Sequence, residues 1–136
     1  MASPVQLKVL VADDRREVRS ALRLVLQQTS KLAVVGEAAT LEAALAALES
    51  LAPDILLLDW ELPANGPRVT MQTLKAQHPG LKIVTMSSRS AARQEALLAG
   101  VDAFVSKGDP AEYLLATLLD LSSMRCGGND DDEIRV

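Results

Sequence analysis

Ile55-Leu56-Leu57-Leu58-Asp59 is the stretch that decides the fold. Four apolar residues in a row, without polar alternation and closing on an acid, suit a strand covered on both faces, the situation of a central strand in a parallel sheet. Working upstream, Pro53 breaks an Ala/Leu-rich helix predicted from Thr40, its N-cap, to about Leu51. Leu32 to Gly36 reads as the strand before it. Earlier still, Val18, Ala21, Leu22, Val25 and Leu26 recur at helical spacing to about Gln28, behind a first strand Leu7 to Ala12 that ends at Asp13-Asp14. Downstream, Leu62-Pro63-Ala64-Asn65-Gly66-Pro67 is a loop by its Pro and Gly content. Val69 to about Gln77 is a helix stopped by Pro79-Gly80, and Leu81 to Met86 a strand followed by Ser87-Ser88-Arg89-Ser90. Ala91 to Ala99 is a helix with Gly100 as its C′ residue. Ala103 to Ser106 is a short strand, and Lys107-Gly108-Asp109-Pro110 leads into a helix ending near Leu121.

Five strand-then-helix units at close spacing predict an α/β fold: one doubly wound, five-stranded parallel sheet with right-handed crossovers and five helices on its two faces. The 136 residues, 49% of them apolar, suffice for one core, and a single Phe, Tyr and Trp argue against an aromatic-rich β-sandwich. Residues 1–121 are expected to form the domain, and 122–136 an acidic, disordered tail. The tail holds Asp130, Asp131, Asp132 and Glu133 against Arg125 and Arg135, half of the formal net charge of −4. That balance argues against direct nucleic-acid binding. The lone Cys126 cannot form an internal disulfide, and no stretch is apolar enough to cross a membrane or resembles a signal peptide. A cytoplasmic location is the expectation.

In open parallel sheets ligands bind beyond the carboxyl ends of the strands. Four of the five predicted strands end on a reactive or charged residue: Asp13-Asp14, Asp59, Ser87 and Lys107. Three carboxylates at one edge repel one another unless a cation sits between them, and hard oxygen donors suit Mg²⁺ or Mn²⁺. A carboxylate can act as nucleophile toward a phosphoryl group, a transfer that needs chiefly positioning and charge stabilisation. Lys107 and Ser87 would each hold a phosphoryl oxygen. Taken singly these residues have plain readings as turn acids, loop serines and a surface lysine; their coincidence on successive strand ends is what points to chemistry.

Asp13-Asp14, Leu-Leu-Leu-Asp59-Trp-Glu-Leu-Pro63, Met86-Ser87-Ser88-Arg89 and Phe104-Val-Ser-Lys107 together resemble the signature of two-component response-regulator receiver domains, over roughly residues 5 to 121. The resemblance implies a flavodoxin-like receiver fold with Asp59 as phosphoryl acceptor. It implies Asp14 as direct metal ligand, Asp13 as the acid reaching the metal through water, and Glu61 as the position whose backbone carbonyl binds metal and whose side chain tunes phosphoryl lifetime. Ser87 matches the switch hydroxyl, Ser88 the small residue after it, and Phe104 the switch aromatic. Two spacings depart from the pattern. The interval from Ser87 to Gly100 is about two residues short, which leaves Thr85 as a competing switch hydroxyl, and Gly66 follows Pro63 by three residues where four is commoner.

The function implied is a Mg²⁺-dependent phosphoacceptor in signal transduction, catalysing only its own phosphorylation and dephosphorylation. Its partners would be a sensor histidine kinase or phosphotransfer protein, with a homodimer also implied, since Ser-Lys-Gly-Asp-Pro is similar to receivers of the helix-turn-helix branch. Residues 122–136 are too few to hold an effector domain. A binding-only receiver and a metal-dependent hydrolase are the competing readings; the first would be marked by loss of an acceptor or acid, the second by a cap insertion, and neither mark is visible. His78 reads as an exposed loop residue, Trp60 as either a residue of the site rim or a cover for the loop, and Leu114, Leu115, Leu118 and Leu119 as the core face of the last helix.

Overall fold

A computed structural model of the chain describes residues 6–63 and 67–127. Its elements alternate as expected: β1 (Leu7–Ala12), α1 (Arg16–Leu26), β2 (Leu32–Ala38), α2 (Leu41–Leu51), β3 (Ile55–Asp59), α3 (Pro67–Gln77), β4 (Lys82–Ser87), α4 (Ala92–Leu98), β5 (Ala103–Ser106) and α5 (Ala111–Gly127). All the strand pairs are parallel and the order is β2-β1-β3-β4-β5, the doubly wound flavodoxin-like arrangement. The apolar run thus lies at the centre, paired with β1 on one side and β4 on the other, and each of its residues is buried.

Alternate residues of the strands feed two cores. Leu10, Leu56, Leu58 and Ile83 pack with Leu48 of α2, Met71 and Leu74 of α3, and Ala92 and Ala96 of α4. Val9, Val11, Ile55, Leu57 and Val84 pack with Leu22 and Leu26 of α1 and Leu114, Leu118 and Leu121 of α5. Burying a large aliphatic side chain contributes about 1.5–3 kcal/mol, so β3 alone anchors both layers. Leu114 and Leu118 are buried as predicted, while Leu115 and Leu119 are partly covered at the edge of the same core.

The boundaries move by a few residues. Prolines are tolerated in a first helical turn, where no intrahelical N–H bond is needed, so α3 begins at Pro67 rather than Val69. β4 runs one residue later than expected and takes in Ser87. The last helix continues to Gly127 instead of stopping near Leu121, so the first part of the expected tail is helical; residues 128–136, with the predicted disorder, lie outside the described residues, as do Ala64, Asn65 and Gly66 of the predicted loop. Thr40 caps α2 as expected, its hydroxyl accepting the Ala43 N–H at 3.0 Å, and Gly100 follows α4 at φ +98°. His78 is partly buried rather than exposed, with Nε2 3.7 Å from a carboxylate oxygen of Glu49.

Acids at the two edges of the sheet are treated differently. At the amino edge, Asp54 accepts the Lys8 N–H at 2.8 Å, and Asp102 accepts the Ile83 N–H at 2.7 Å and pairs with Lys75 at 2.9 Å. Those carboxylates close strand starts and are satisfied by backbone. The acids at the carboxyl edge face one another instead.

Ala52, between α2 and Pro53, adopts φ 46°, ψ 58°. A Cβ in this left-handed region costs about 1–2 kcal/mol, and glycine removes that strain at some expense in unfolded-state entropy. Ala52→Gly is expected to stabilise the fold by about 0.5 kcal/mol net, read as a higher urea midpoint at unchanged denaturant slope.

Candidate functional site

The carboxyl edge of the sheet collects the residues that the sequence singled out. Asp13 and Asp14 follow β1, Asp59 closes β3, Ser87 closes β4, and Lys107 follows β5. Parallel register brings them together: Ala12 lies opposite Leu58, Asp59 opposite Met86, and Ser87 opposite Ser106. Carboxylate oxygens of Asp13, Asp14 and Asp59 all lie within 4.8 Å of one another. Asp13 and Asp59 are 2% and 7% exposed, whereas Asp14 is exposed. An open cleft of about 310 Å³ lies above them, lined by Asp14, Arg15, Asp59, Glu61, Leu62, Ser88 and Lys107.

Lys107 answers the two buried acids. Lys107 Nζ lies 2.9 Å from Asp13 Oδ2 and 3.5 Å from Asp59 Oδ1. The Arg15 N–H donates to the other oxygen of Asp13 at 2.9 Å, and the Glu61 N–H donates to Asp59 Oδ1 at 3.2 Å. Burial lifts the Asp59 carboxyl above its ordinary value, against the lowering effect of the Glu61 N–H and the Lys107 charge; the Asp13 and Glu61 charges push it further up. For Lys107 burial disfavours the ammonium, but the bond to Asp13 and the charges of Asp59 and Asp13 outweigh it, and the net direction is upward. The two carboxylates therefore favour the charged form of Lys107, while burial leaves Asp59 holding its proton more tightly than a free carboxyl. Three clustered carboxylates with one exposed member are a donor set that fits a hard divalent cation, and a carboxylate beside an ammonium and open to a cleft can attack an electrophilic phosphorus.

Ser87 is fully buried, and its hydroxyl donates to Glu61 Oε1 at 2.9 Å while accepting the Arg89 N–H at 3.0 Å. Thr85 sits two residues deeper, opposite Leu58 and Phe104, with its hydroxyl buried and unpartnered among the described residues. Of the two hydroxyls, the one at the strand end is the one joined to Glu61. Phe104 is 5% exposed and packed in the core under α4, the Arg93 guanidinium 5.6 Å from its ring centre. Trp60 is not a loop cover. It is 3% exposed, and its indole N–H donates to Glu95 of α4 at 3.1 Å.

Several participants carried no signal in the sequence. Arg19 of α1 donates to the Asp13 carbonyl at 2.7 Å, and Arg19 and Arg23 both bind Glu37 of β2, at 3.1 and 2.8 Å. The Arg23 hydrogen bond outweighs the opposing effect of burial and, with Arg19 beside it, holds the Glu37 carboxyl below its ordinary value. This braces the loop carrying the acids. Arg89 pairs with Glu61 and Glu95, at 2.8 and 3.0 Å. These contacts join residues far apart in the chain, and no local pattern marks them.

Residues 9–119 match the response regulator receiver domain family. Among curated proteins, the chain is 33% identical over 113 residues to the transcriptional regulatory protein YhcZ of Bacillus subtilis, covering 82% of this chain and 53% of that one. It is 32% identical over 104 residues to the response regulator GacA of Pseudomonas syringae, covering 75% and 49%. The chain therefore spans about half the length of these relatives. Among solved structures, the isolated receiver domain of RcsB from Salmonella enterica serovar Typhimurium, in the presence of the phosphomimetic BeF3−, superposes with a TM-score of 0.80 at 24% identity, covering 87% of this chain and 89% of that one. The receiver domain of the response regulator NarL from Mycobacterium tuberculosis superposes with a TM-score of 0.79 at 24% identity, covering 88% and 98%. Among the described residues no helix is long and apolar enough to cross a membrane. With the match running from the first strand into the last helix, this chain belongs to the response regulator receiver domain family of two-component signalling.

Proposed function

We propose that this receiver accepts one phosphoryl group on Asp59 from a phosphohistidine of a sensor kinase or phosphotransfer protein, or from a small donor such as acetyl phosphate. The observation that carries this reading is the convergence of Asp13, Asp14, Asp59 and Lys107 beneath one open cleft at the sheet edge. An Asp59 oxygen attacks phosphorus; the new O–P bond forms as the donor's N–P or O–P bond breaks, and the electron pair leaves with the donor. Asp13, Asp14, Asp59 and the Glu61 carbonyl would hold a Mg²⁺ or Mn²⁺ ion, whose charge offsets that of the phosphoryl group. Lys107, already within 3.5 Å of Asp59, would hold one phosphoryl oxygen and Ser87 another. Phe104 of β5, opposite Thr85 of β4, would carry the change to the surface of α4 and β5. The domain would catalyse only its own phosphorylation and dephosphorylation. Its output would be an altered surface for a partner or a second copy, and solved assemblies of RcsB include dimers bound to DNA.

Intact mass measured after incubation with acetyl phosphate and Mg²⁺ tests the assignment. The wild-type chain is expected to gain one phosphoryl group, whereas Asp59→Asn and a metal-free control gain none. Retained labelling of Asp59→Asn would sink the acceptor assignment.

The upward shift of Asp59 also has a sign in stability. The folded state holds the proton more tightly than the unfolded chain, so stability falls as pH rises from the ordinary value of 3.8 through the raised one. The penalty is absent below that window and complete above it. Asp59→Asn, which cannot ionise, is expected to melt above wild type at pH 7 without metal, with the gap closing toward pH 4. Adding Mg²⁺ is expected to raise the wild-type midpoint more than that of the variant. A gap that grew on acidification would contradict the assigned direction.

A further inference from the structure

The resting contacts of Ser87 leave its hydroxyl fully committed. A serine carries one hydroxyl proton, and that proton is donated to Glu61 Oε1 at 2.9 Å. Ser87 therefore cannot donate to a phosphoryl oxygen until Glu61 releases it. Glu61 is gripped in turn. Two guanidinium nitrogens of Arg89 lie 2.9 and 2.8 Å from Glu61 Oε2, and one of them lies 3.0 Å from Glu95 Oε1 on α4. The same Glu95 oxygen accepts the Trp60 indole N–H at 3.1 Å. The chain of contacts runs from Ser87 through Glu61 and Arg89 to Glu95, and returns through Trp60 to the residue next to Asp59.

We propose that Arg89 and Glu95 are positioning residues that lock Ser87 onto Glu61 in the unphosphorylated domain and tie α4 to that state. The inference rests on Asp59 being the phosphoryl acceptor and adds how the site is regulated. A phosphoryl group on Asp59 brings negative charge next to Glu61. Like-charge repulsion drives the Glu61 carboxylate away, Ser87 turns its proton to the phosphoryl oxygen, and Arg89 loses one of the two acids it bridges. α4 is then held by a weaker tether. The side chains of Arg89 and Glu95 are 49% and 50% exposed, so each pair is weak, and the lock biases the two states without trapping either.

The experiment compares the rate of Asp59 phosphorylation by acetyl phosphate and Mg²⁺ in the full chain with that in Arg89→Met, Glu95→Gln and the double variant. Each single change is expected to raise the rate about two- to fivefold, and the double variant to do no more than the faster single one, because both cut the same chain of contacts. Charge alone would give opposite signs: losing Arg89 would slow the approach of an anionic donor, and losing Glu95 would speed it. A purely structural role would lower the melting temperature and leave the rates alone. Arg89→Lys, which keeps the charge but not the two-nitrogen grip, is expected to fall between wild type and Arg89→Met. Rate changes of opposite sign, multiplicative effects in the double variant, or wild-type rates throughout would overturn the lock while leaving the acceptor assignment standing. Absence of labelling in every protein, wild type included, would remove both.

Discussion

Repulsion among three carboxylates is the constraint around which this molecule is arranged. Oxygens of Asp13, Asp14 and Asp59 lie inside 4.8 Å of one another, and the charge of Asp13 adds to the burial that already lifts the Asp59 carboxyl. Lys107 is the protein's own answer, and its ammonium meets both buried acids. Three carboxylates against one ammonium leave the site two positive charges short of balance, the condition under which a divalent cation is welcome and a bare acid cluster is costly. At the other edge of the sheet, Asp54 and Asp102 spend their charge on backbone N–H groups. Acids at one edge build the fold, and acids at the other are available for chemistry.

Holding such a cluster together requires a support that does not yield. The strand ends bearing Asp59 and Ser87 continue β3 and β4, whose residues fill both cores. Packed interiors resist small displacements, so the acids cannot relieve their repulsion by drifting apart. Where the scaffold is lighter, ion pairs take over: Arg19 and Arg23 on Glu37 stiffen the loop carrying Asp13 and Asp14, and Arg89 spans Glu61 and Glu95. The rim of the site is therefore electrostatic where its floor is hydrophobic.

Much of this was legible in the sequence, for a physical reason. A parallel sheet buried on both faces leaves uninterrupted apolar runs, and Ile55–Leu58 is such a run. The positions that end these runs are fixed by the same pattern, so the placement of Asp59 and Lys107 at one edge follows from sequence alone. Helix limits were less legible, because Pro67 is compatible with either a loop or a first helical turn, and nothing in Ser122 to Gly127 forbids a helix from continuing. The ion pairs were illegible. Arg89 with Glu61, and Trp60 with Glu95, depend on how helices sit against the sheet, and exposed charges carry no periodicity to betray their partners.

The Lys107–Asp13 contact closes a span of 94 residues. It cannot form until β5, the last strand made, has docked against β4. Until then the three acids lack the ammonium that meets two of them. Contacts of such wide separation in sequence form late and cooperatively. If Asp59 is the acceptor proposed above, a copy without its fifth strand would hold that acid without the ammonium beside it, and competence to receive a signal would come only with the finished sheet.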